Sequence, residues 1–509
     1  MTTGKSRSDS VNLRPYQKQV VEAVRSGFRE FSRQLAVCPT GSGKTVMFSH
    51  LAKATLPGRT LILAHREELV DQAIDKLRAA TGIEAEKEMA DSRASLSAPV
   101  VVASIQTMQR RAGNWPRDHF ALVVCDEAHH AISDSWQAVL GRFSTAKVLG
   151  VTATPDRGDK RDLGRYFQNV AAEIKLFDLI ADGYLSRISV KSVPLAIDLN
   201  ACRTVAGDFA DADLGAALDP YLDQIAAAIR DYAGFRKTLC FLPLIATSKK
   251  FVDACRAAGV EAQHVDGYSQ DRAEILAGFA AGQFDLLSNA MLLTEGYDDP
   301  SIDCVVVLRP TRSRPLFAQM IGRGTRTAPA KENLLLLDFL WMHEKHSIVS
   351  PANLVAETAE EAAVIRELSQ EPGGGERDLE ELFCETQTKR EDALRKKLEE
   401  QSRKKSKYIS AEEFALQQHR LDLAEYQPVM GWEFEAVTDA QARALKGAKI
   451  DPATVTCKGQ ASRILGLASG QPASQKQKAI MSRMGYPNAY TATAGEARQF
   501  FAKLYKRAA

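Results

Sequence analysis

The 509-residue sequence contains eight cysteines but no Cys-x-x-Cys pair. Zinc, iron–sulfur and disulfide frameworks rely on close cysteine spacings, so this absence argues against all three. No apolar run approaches the roughly 18–20 residues that span a bilayer, which argues against a membrane protein. The formal net charge is only +2, so a polyanionic partner would have to bind to a local surface rather than to a uniformly basic chain.

The first ten residues, MTTGKSRSDS, carry charges but lack the apolar core of a secretory signal. We therefore expect residues 1–12 to be a disordered start and the protein to stay in the cytoplasm. The chain is also longer than one hydrophobic core usually supports, so we expect several domains.

Short apolar runs alternate with helical periodicity from about residue 12 to residue 345. The runs lie at 35–38, 60–64, 100–104, 121–125 and 147–151, then at 238–242, 303–308 and 334–339. Parallel sheets covered by helices on both faces require this alternation. The pattern predicts an α/β fold with two tandem parallel-sheet lobes followed by an α-helical C-terminal region.

We predict the following domains along the chain. They are a first lobe at 13–195, an interlobe helical segment at 196–235, a second lobe at 236–350, a helical linker with a charged helix at 351–430 and a small helical module at 431–509. The helix and strand expected within 175–195 are predicted to close the first lobe.

The C-terminal third allows more than one interpretation. The run EPGGGERD at 371–378 predicts a hinge. The following basic segment, 389–408, alternates with acidic residues, which favours a solvated spacer helix over a phosphate-binding one. A weak repeat at a spacing of 36 indicates either two copies of a helical unit or chance. The tyrosines of the last module either bind DNA or a protein partner, or fill a small core.

A phosphate-binding loop is predicted within LAVCPTGSGKTVMFSHLAKA at 35–54, where an apolar strand, a Gly-rich turn and a helix follow one another. Gly41 and Gly43 let backbone amides approach phosphates without a Cβ in the way. Lys44 is expected to reach the β- and γ-phosphates, and the Thr45 hydroxyl to hold Mg²⁺. Thr40 and Ser42 complete the predicted nucleotide-binding turn. Cys38 departs from the general pattern, which has a glycine there.

A pair of carboxylates follows the apolar run that ends at residue 125. Open α/β sheets bind ligands at the carboxyl ends of their strands, where DEAHH (126–130) is placed. We expect Asp126 to complete the Mg²⁺ shell and Glu127 to orient and deprotonate the attacking water. Alone, this motif is equally an exposed acidic turn, but its position after a phosphate loop makes it far more specific.

The segment QMIGRGTR at 319–326 supplies Arg323 and Arg326 beside Gln319. An arginine that neutralises charge in phosphoryl transfer can add roughly 10³- to 10⁵-fold in rate. If both lobes contribute to one ATP site, closure of the cleft is tied to hydrolysis, as a motor requires. The alternative is that the two arginines form a solvated face.

Taken in order, these residues resemble the superfamily 2 helicases from residue 13 to about residue 345. Further matching segments are LRPYQ (13–17), AHREELVDQ (64–72), ASIQTM (103–108), VTATP (151–155), FLPLIATSKKF (241–251), HVDG (264–267) and NAMLLTEGYDDPSID (289–303). The chain looks closest to the XPB-like, RadD-like and type III restriction-subunit branch, through 153–167 and 183–185. It differs from RadD-like proteins in lacking a cysteine zinc site, and from restriction subunits in lacking room for extra domains.

The resemblance implies two RecA-like lobes and an ATPase that uses ATP and Mg²⁺ and is stimulated by nucleic acid. It implies that Gln17 reads the adenine base, that His129 and Gln319 couple the ATP site to nucleic acid, and that Gly296 and Asp298 sense the nucleotide. It also implies phosphate contacts from Arg66, Ser104, Gln106, Thr107 and Thr294. Each of these last residues is equally compatible with a cap or turn role.

We therefore expect an ATP-dependent helicase or translocase that binds single-stranded, forked or duplex DNA with little base preference and strong salt dependence. RNA is the less favoured partner, and residues 431–509 are the expected site for a protein partner. Two alternatives stay open: an ATP-gated loading factor that does not unwind, and an RNA remodeller.

Overall fold

The structure, a computed structural model, describes residues 12–64, 67–153, 163–205, 207–294, 296–342, 348–356, 358–370, 375–401 and 408–470. The chain divides into two compact units, Met1–Thr386 and Gln387–Ala509. The first unit contains two seven-stranded sheets, which we call the first and second lobes. The predicted disordered start at 1–12 falls almost entirely outside the described residues.

The first lobe is built on a sheet in which every pairing is parallel. Its strands are β1 (Arg33–Val37), β2 (Thr60–Ala64), β3 (Glu86–Glu88), β4 (Val100–Ser104), β5 (Leu122–Asp126), β6 (Lys147–Thr152) and β7 (Asn169–Glu173). Their order across the sheet is β3-β4-β2-β5-β6-β1-β7. The five apolar runs predicted for this lobe are thus confirmed as strands.

Both faces of the first sheet are buried. Along β1, Leu35 belongs to one hydrophobic cluster and Ala36 to another, because successive side chains of a strand point to opposite faces. The helices of this lobe are α1 (Pro15–Gly27), α2 (Lys44–Thr55), α3 (Glu67–Thr81), α4 (Ile105–Arg111) and α5 (Asp134–Arg142). Helix α6 (Leu176–Ala181) was expected to close this lobe, but its Leu179 and Ile180 lie in the core of the second lobe. This two-faced burial explains why the strands consist of almost continuous apolar runs.

The second lobe contains a sheet with the order β12-β13-β11-β14-β15-β8-β16, parallel except for its antiparallel edge strand β16. Its strands are β8 (Arg187–Asp198), β11 (Thr238–Phe241), β12 (Ala262–Val265), β13 (Leu286–Asn289), β14 (Cys304–Val307), β15 (Asn333–Met342) and β16 (Arg377–Asp378). A separate hairpin joins β9 (Thr204–Val205) to β10 (Asp208–Phe209). The helices of the second lobe are α7 (Asp211–Leu218), α8 (Leu222–Ala233), α9 (Ile245–Ala257), α10 (Arg272–Ala280), α11 (Arg314–Ile321) and α12 (Ala359–Ser369). The predicted fold of two tandem parallel-sheet lobes is confirmed.

One strand prediction was wrong. The strand expected to close the first lobe, β8, pairs with β15 along ten residues of the second sheet. Its alternating sequence RISVKSVPL fits a half-covered strand in either sheet, and the long pairing with β15 decides its place.

The segments on both sides of the second lobe also pack differently from the prediction. Leu214 and Ile225, from the expected interlobe segment, lie in the core on one face of the second sheet. Ile365 and Leu382, from the expected linker, lie in the core on its other face. These helices belong to the second lobe because their apolar faces need the sheet to cover them.

The second unit is helical in its described part. Helix α13 (Leu379–Gln401) enters it, and α14 (Ala411–Gln417), α15 (Leu421–Ala424), α16 (Asp439–Gly447) and α17 (Lys458–Gly470) follow. Phe414, Leu445 and Ile464 are among the residues of its small core. The second copy of the weak repeat, at 474–501, and Gly373 and Gly374 of the predicted hinge lie outside the described residues. No helix in the described part of the chain is long and apolar enough to span a membrane.

Candidate nucleotide site between the two lobes

The predicted phosphate loop, residues 38–45, connects β1 to α2. Gly41 and Gly43 have φ angles of +87° and +79°, in the left-handed region that residues with a Cβ rarely adopt. Gly43 directly precedes α2, so the free amides of the helix start point into this loop. The hydroxyls of Thr40 and Ser42 are buried without a hydrogen-bond partner among the described residues. A loop with unpaired polar groups and a helix start fits the phosphates of a nucleotide.

Two residues of α1 support this loop through hydrogen bonds to its backbone. The Tyr16 hydroxyl donates to the Ser42 carbonyl at 2.7 Å, and Gln17 Nε2 donates to the same oxygen at 2.9 Å. Gln17 Oε1 accepts the Arg14 backbone N–H at 2.9 Å, so both ends of the Gln17 amide make hydrogen bonds within the protein. A Cβ at Gly43 would lie only 2.5 Å from Gln17 Nε2. Gln17 therefore braces the phosphate loop, and its reading of the adenine base stays a prediction.

The acidic motif lies beside the loop at the carboxyl end of β5. Lys44 Nζ and Glu127 Oε1 are 3.3 Å apart, and both side chains are largely buried. Glu127 has a φ of +51°, which turns the chain sharply after the strand and directs its carboxylate toward the lysine. His129 Nδ1 lies 3.6 Å from Glu127 Oε2. Asp126, Glu127 and His129 thus bring their polar side chains to the edge of the sheet where the phosphate loop lies.

The oxygen donors expected for Mg²⁺ are located at this same edge. Asp126 is the last residue of β5, and Thr45 is the second residue of α2. A hydroxyl and a carboxylate are hard oxygen ligands of the type Mg²⁺ prefers when phosphate oxygens complete the shell. The residues present therefore fit this ion.

The predicted arginines face the phosphate loop from the second lobe. We call residues 322–326 the arginine loop. Thr325 Oγ1 would lie 3.1 Å from a Cβ at Gly41, and a Cβ at Gly322 would overlap the Thr40 side chain. The two loops are therefore packed directly against each other.

The arginine side chains are held by the segment that follows β13. Arg323 is buried and donates to the Tyr297 carbonyl at 2.9 Å, while Arg326 pairs with Asp298. Gln319 is buried on α11, one turn before the arginine loop. Gly296 has a φ of +80° and lies against Gln72 of the first lobe. The structure thus brings the predicted nucleotide-sensing residues and both arginines to one side of the cleft.

Most residues predicted to contact nucleic acid have local hydrogen-bonding roles here. The Ser104 hydroxyl caps α4 by accepting the Thr107 backbone N–H at 3.2 Å, and it donates to the Thr107 hydroxyl at 2.9 Å. Thr294 is buried and donates to the Met291 carbonyl at 2.9 Å. Gln106 is exposed at the start of α4. Arg66 lies outside the described residues, and nucleic-acid binding by this set stays a prediction.

Two features of the cleft were missed from the sequence. Burial and the nearby Arg326 and Arg323 lower the pKa of Lys76, and Asp126 opposes this shift. Lys76 is four residues after Gln72 on α3, so helical spacing could have identified it. The second feature is Ser186, whose N–H donates to the Thr325 carbonyl at 2.7 Å. No local sequence pattern marks this serine.

Comparison with known proteins agrees with this architecture. Residues 10–157 match the family model described as the res subunit of type III restriction enzymes, and residues 221–328 match that of the helicase conserved C-terminal domain. These matches confirm the resemblance to the superfamily 2 helicases that the sequence motifs predicted. The first matched region contains the phosphate loop and the second contains the whole arginine loop, so the matches fall on the two lobes.

Similar proteins include IRC3 of Saccharomyces cerevisiae, assigned as an ATP-dependent helicase, which is 30% identical over 353 residues. That match covers 64% of this chain and 51% of IRC3, so the chain spans about half the length of this relative. The DNA 3'-5' translocase XPB2 of Sulfurisphaera tokodaii is 23% identical, with 64% of this chain and 81% of XPB2 covered.

Among solved structures, the ATP-dependent type ISP restriction-modification enzyme LlaBIII bound to DNA superposes with a TM-score of 0.55. It is 16% identical, and the match covers 98% of this chain and 43% of LlaBIII. This similarity concerns the fold alone.

Proposed function

We propose that this helicase core hydrolyses ATP and couples hydrolysis to movement along DNA or to separation of its strands. The observation that carries the proposal is the direct packing of the arginine loop on the phosphate loop. A nucleotide held by the phosphate loop would be contacted by residues of both lobes. Hydrolysis and release would then alter the contact between the lobes, which is the basic step of a motor.

Each side chain has a distinct task in this proposal. Lys44 binds the β- and γ-phosphates, and Glu127 accepts a proton from the attacking water. Arg323 and Arg326 neutralise the charge that develops on the transferred phosphoryl group. Thr45 and Asp126 would hold Mg²⁺, which would supply further positive charge to the phosphates.

The coupling and sensing roles follow from position. His129 and Gln319 link the nucleotide site to the nucleic-acid surface, and Gly296 with Asp298 responds to the nucleotide. In the described structure His129 is beside Glu127, and Asp298 is paired with Arg326, which supports these assignments.

DNA is the proposed nucleic acid. The name of XPB2 describes a DNA translocase, and the matched restriction-subunit family supports the same choice. Binding through backbone phosphates would show little base preference and would weaken steeply with salt. Location in the cytoplasm stays a prediction.

The deciding experiment compares ATPase rates with single-stranded, duplex and forked DNA and with RNA, using wild-type protein and Lys44→Ala. We expect low activity alone, strong stimulation by DNA and loss of the stimulated rate in the variant. Equal stimulation by RNA would replace DNA remodelling with RNA remodelling. Unchanged activity in Lys44→Ala would refute the assignment of the phosphate loop.

A second candidate is an ATP-gated loading factor that recruits a protein partner through residues 431–509 without unwinding. It is favoured by the exposed aromatic side chains of Trp432 and Phe434, of which 41% and 48% are accessible. Strand-displacement and triplex-displacement assays distinguish a motor from a loading factor, because a loading factor displaces neither a paired strand nor a triplex strand.

A further inference from the structure

Lys331 lies two residues before β15, behind the arginine loop. Its ammonium group donates to the carbonyl oxygens of Gly324 at 2.5 Å, Ile302 at 2.5 Å and Arg326 at 2.8 Å. The Pro300 carbonyl lies farther away, at 3.4 Å. A lysine ammonium has three protons, so three short hydrogen bonds use its full donor capacity.

The three carbonyls belong to two different segments. Gly324 and Arg326 are in the arginine loop, whereas Ile302 follows the segment that contains Tyr297 and Asp298. Those two residues already hold the side chains of Arg323 and Arg326. Lys331 therefore connects the same two segments a second time, through their backbones.

The arginine loop is also tied to the start of β8. Ser186 donates from its backbone N–H to the Thr325 carbonyl at 2.7 Å and from its hydroxyl to the Arg326 carbonyl at 3.1 Å. The loop is thus bonded both to Ser186, just before β8, and to Lys331, two residues before β15. Both strands are anchored in the second sheet, so the loop has a rigid support.

We propose that Lys331 is a positioning residue for catalysis, which fixes the backbone of the arginine loop so that Arg323 and Arg326 face the phosphate loop. This inference rests on the proposed ATPase function. Lys331 contacts neither the phosphate loop nor the acidic motif in the described structure, so its effect reaches the nucleotide only through the arginine loop.

A purely packing role does not account for a charged group here. Gly324 already packs on Leu334 and Val305, and an apolar side chain of similar length would fill the space beside them without desolvating a charge. What the ammonium adds is direction, because its hydrogen bonds fix the orientation of three carbonyl groups.

The charge of Lys331 is sensitive to pH. Burial lowers its pKa to about 8, and the neighbouring Arg326 and Arg236 act in the same direction, while Asp303 and Asp299 oppose the shift. Above this pH the neutral amine has only two protons for three carbonyls. Because the folded-state pKa is lower than that of an unfolded lysine, this group makes the fold more stable as pH rises through this range. Activity and stability should therefore respond in opposite directions.

The first test compares Lys331→Met with Lys147→Met, a control in the first lobe whose ammonium donates to the Phe31 carbonyl at 3.1 Å. We expect kcat of the DNA-stimulated ATPase to fall about 10- to 100-fold in Lys331→Met, since small displacements of catalytic groups have such effects. KM for ATP should stay within a factor of about three, because phosphate-loop binding is intact. The control should retain its kcat.

The second test needs neither nucleotide nor activity. Hydrogen–deuterium exchange of peptides covering 319–330 should be faster in Lys331→Met than in wild type, with no change in Lys147→Met. Equal exchange in all three proteins would show that the lysine does not fix the loop and would overturn the inference. If wild type shows no stimulated ATPase, the proposed function fails, while this measurement still decides the role of Lys331 in the loop.

A third variant, Lys331→Arg, tests the inference even if Lys331→Met does not fold. Wild-type kcat should decline above a pH of about 8, and Lys331→Arg, which keeps its charge, should remove this decline. Identical pH profiles of wild type and Lys331→Arg, or an unchanged kcat in Lys331→Met, would each contradict the inference.

Discussion

The cleft has two walls, one formed by the phosphate loop and acidic motif of the first lobe and the other by the arginine loop of the second lobe. The geometry of each wall has a different origin. On the first lobe, backbone conformation shapes the site: Gly41, Gly43 and Glu127 all have positive φ angles at the ends of strands. On the second lobe, side-chain interactions do so, since Arg323 and Arg326 are held by Tyr297 and Asp298. The geometry of the first wall is therefore set by the backbone conformation of individual residues, whereas that of the second depends on contacts between separate segments of the chain.

Removal of the proposed base on the first wall should have the largest effect. Glu127→Gln keeps the side-chain shape but cannot accept a proton, so we expect kcat to fall about 10³-fold with ATP binding retained. Steady-state phosphate release and equilibrium nucleotide binding measure the two quantities. Glu88→Gln is a matched control, because Glu88 is a buried carboxylate paired with Arg111 elsewhere in the same lobe. More than a tenth of wild-type kcat in Glu127→Gln would contradict the assignment.

Substitutions on the second wall should have the next largest effect on kcat. Arg326→Ala should reduce kcat about 100-fold, less than a lone arginine finger because Arg323 remains. Asp298→Asn should give a smaller loss, since it weakens the ion pair that holds Arg326 without removing the guanidinium. Arg309→Ala, which breaks an ion pair with Asp208 and Asp211 outside the site, is the control. Equal rates in Arg326→Ala and Arg309→Ala would argue against a catalytic arginine.

The contact between the walls can be tested by one added methyl group. Gly322→Ala should reduce kcat about 10-fold, because separation of the lobes relieves the overlap with Thr40. The new methyl also lies 2.9 Å from the Ala318 carbonyl within the second lobe, so the unfolding midpoint should fall slightly. In Gly324→Ala the new methyl meets Leu334 and Val305 inside the second lobe, so stability should fall by about 1–3 kcal/mol. Chemical unfolding and ATPase assays on both variants check this. A destabilised Gly322→Ala with full activity would show that the two loops do not need to meet.

The smallest effect on ATPase kinetics is expected for substitution of Gln17, a residue of α1 that bonds to the phosphate loop. Gln17→Ala loses a hydrogen bond to Ser42, which corresponds to about 1 kcal/mol or roughly a fivefold rise in KM for ATP. Gln34→Ala removes a similar buried amide that bonds the Val24 carbonyl and should leave KM unchanged. Measuring KM for GTP in parallel separates two roles of Gln17. Loss of the preference for ATP indicates base reading, whereas an equal change for both nucleotides indicates bracing alone.

The sequence predicted the first wall more completely than the second. The phosphate loop and DEAHH are contiguous motifs whose conformations follow from local residues, as the positive φ angles of Gly41 and Gly43 illustrate. The apolar runs likewise predicted most strands of the two sheets, since burial on both faces leaves a strong local pattern.

The failures share a physical cause. Strand β8 was assigned to the wrong lobe because its alternation suits either sheet, and only its long pairing with β15 decides the matter. Ser186 and Lys331 are single polar residues without a motif, and they matter only through hydrogen bonds to carbonyl groups of other segments, from five to 140 residues away. Interactions between segments far apart in the chain cannot be derived from local patterns.

The crossing of the chain between the sheets has a mechanical consequence. Leu185 contacts the phosphate loop, and β8 begins two residues later. The far edge strand β12 is five strand spacings from β8, or roughly 24 Å at about 4.8 Å each. If the second sheet rotated by about 10° about the crossing at Leu185, the neighbouring phosphate loop would barely move, whereas β12 would move by roughly 4 Å. That travel is close to the rise of about 3.4 Å between successive nucleotides of a DNA strand.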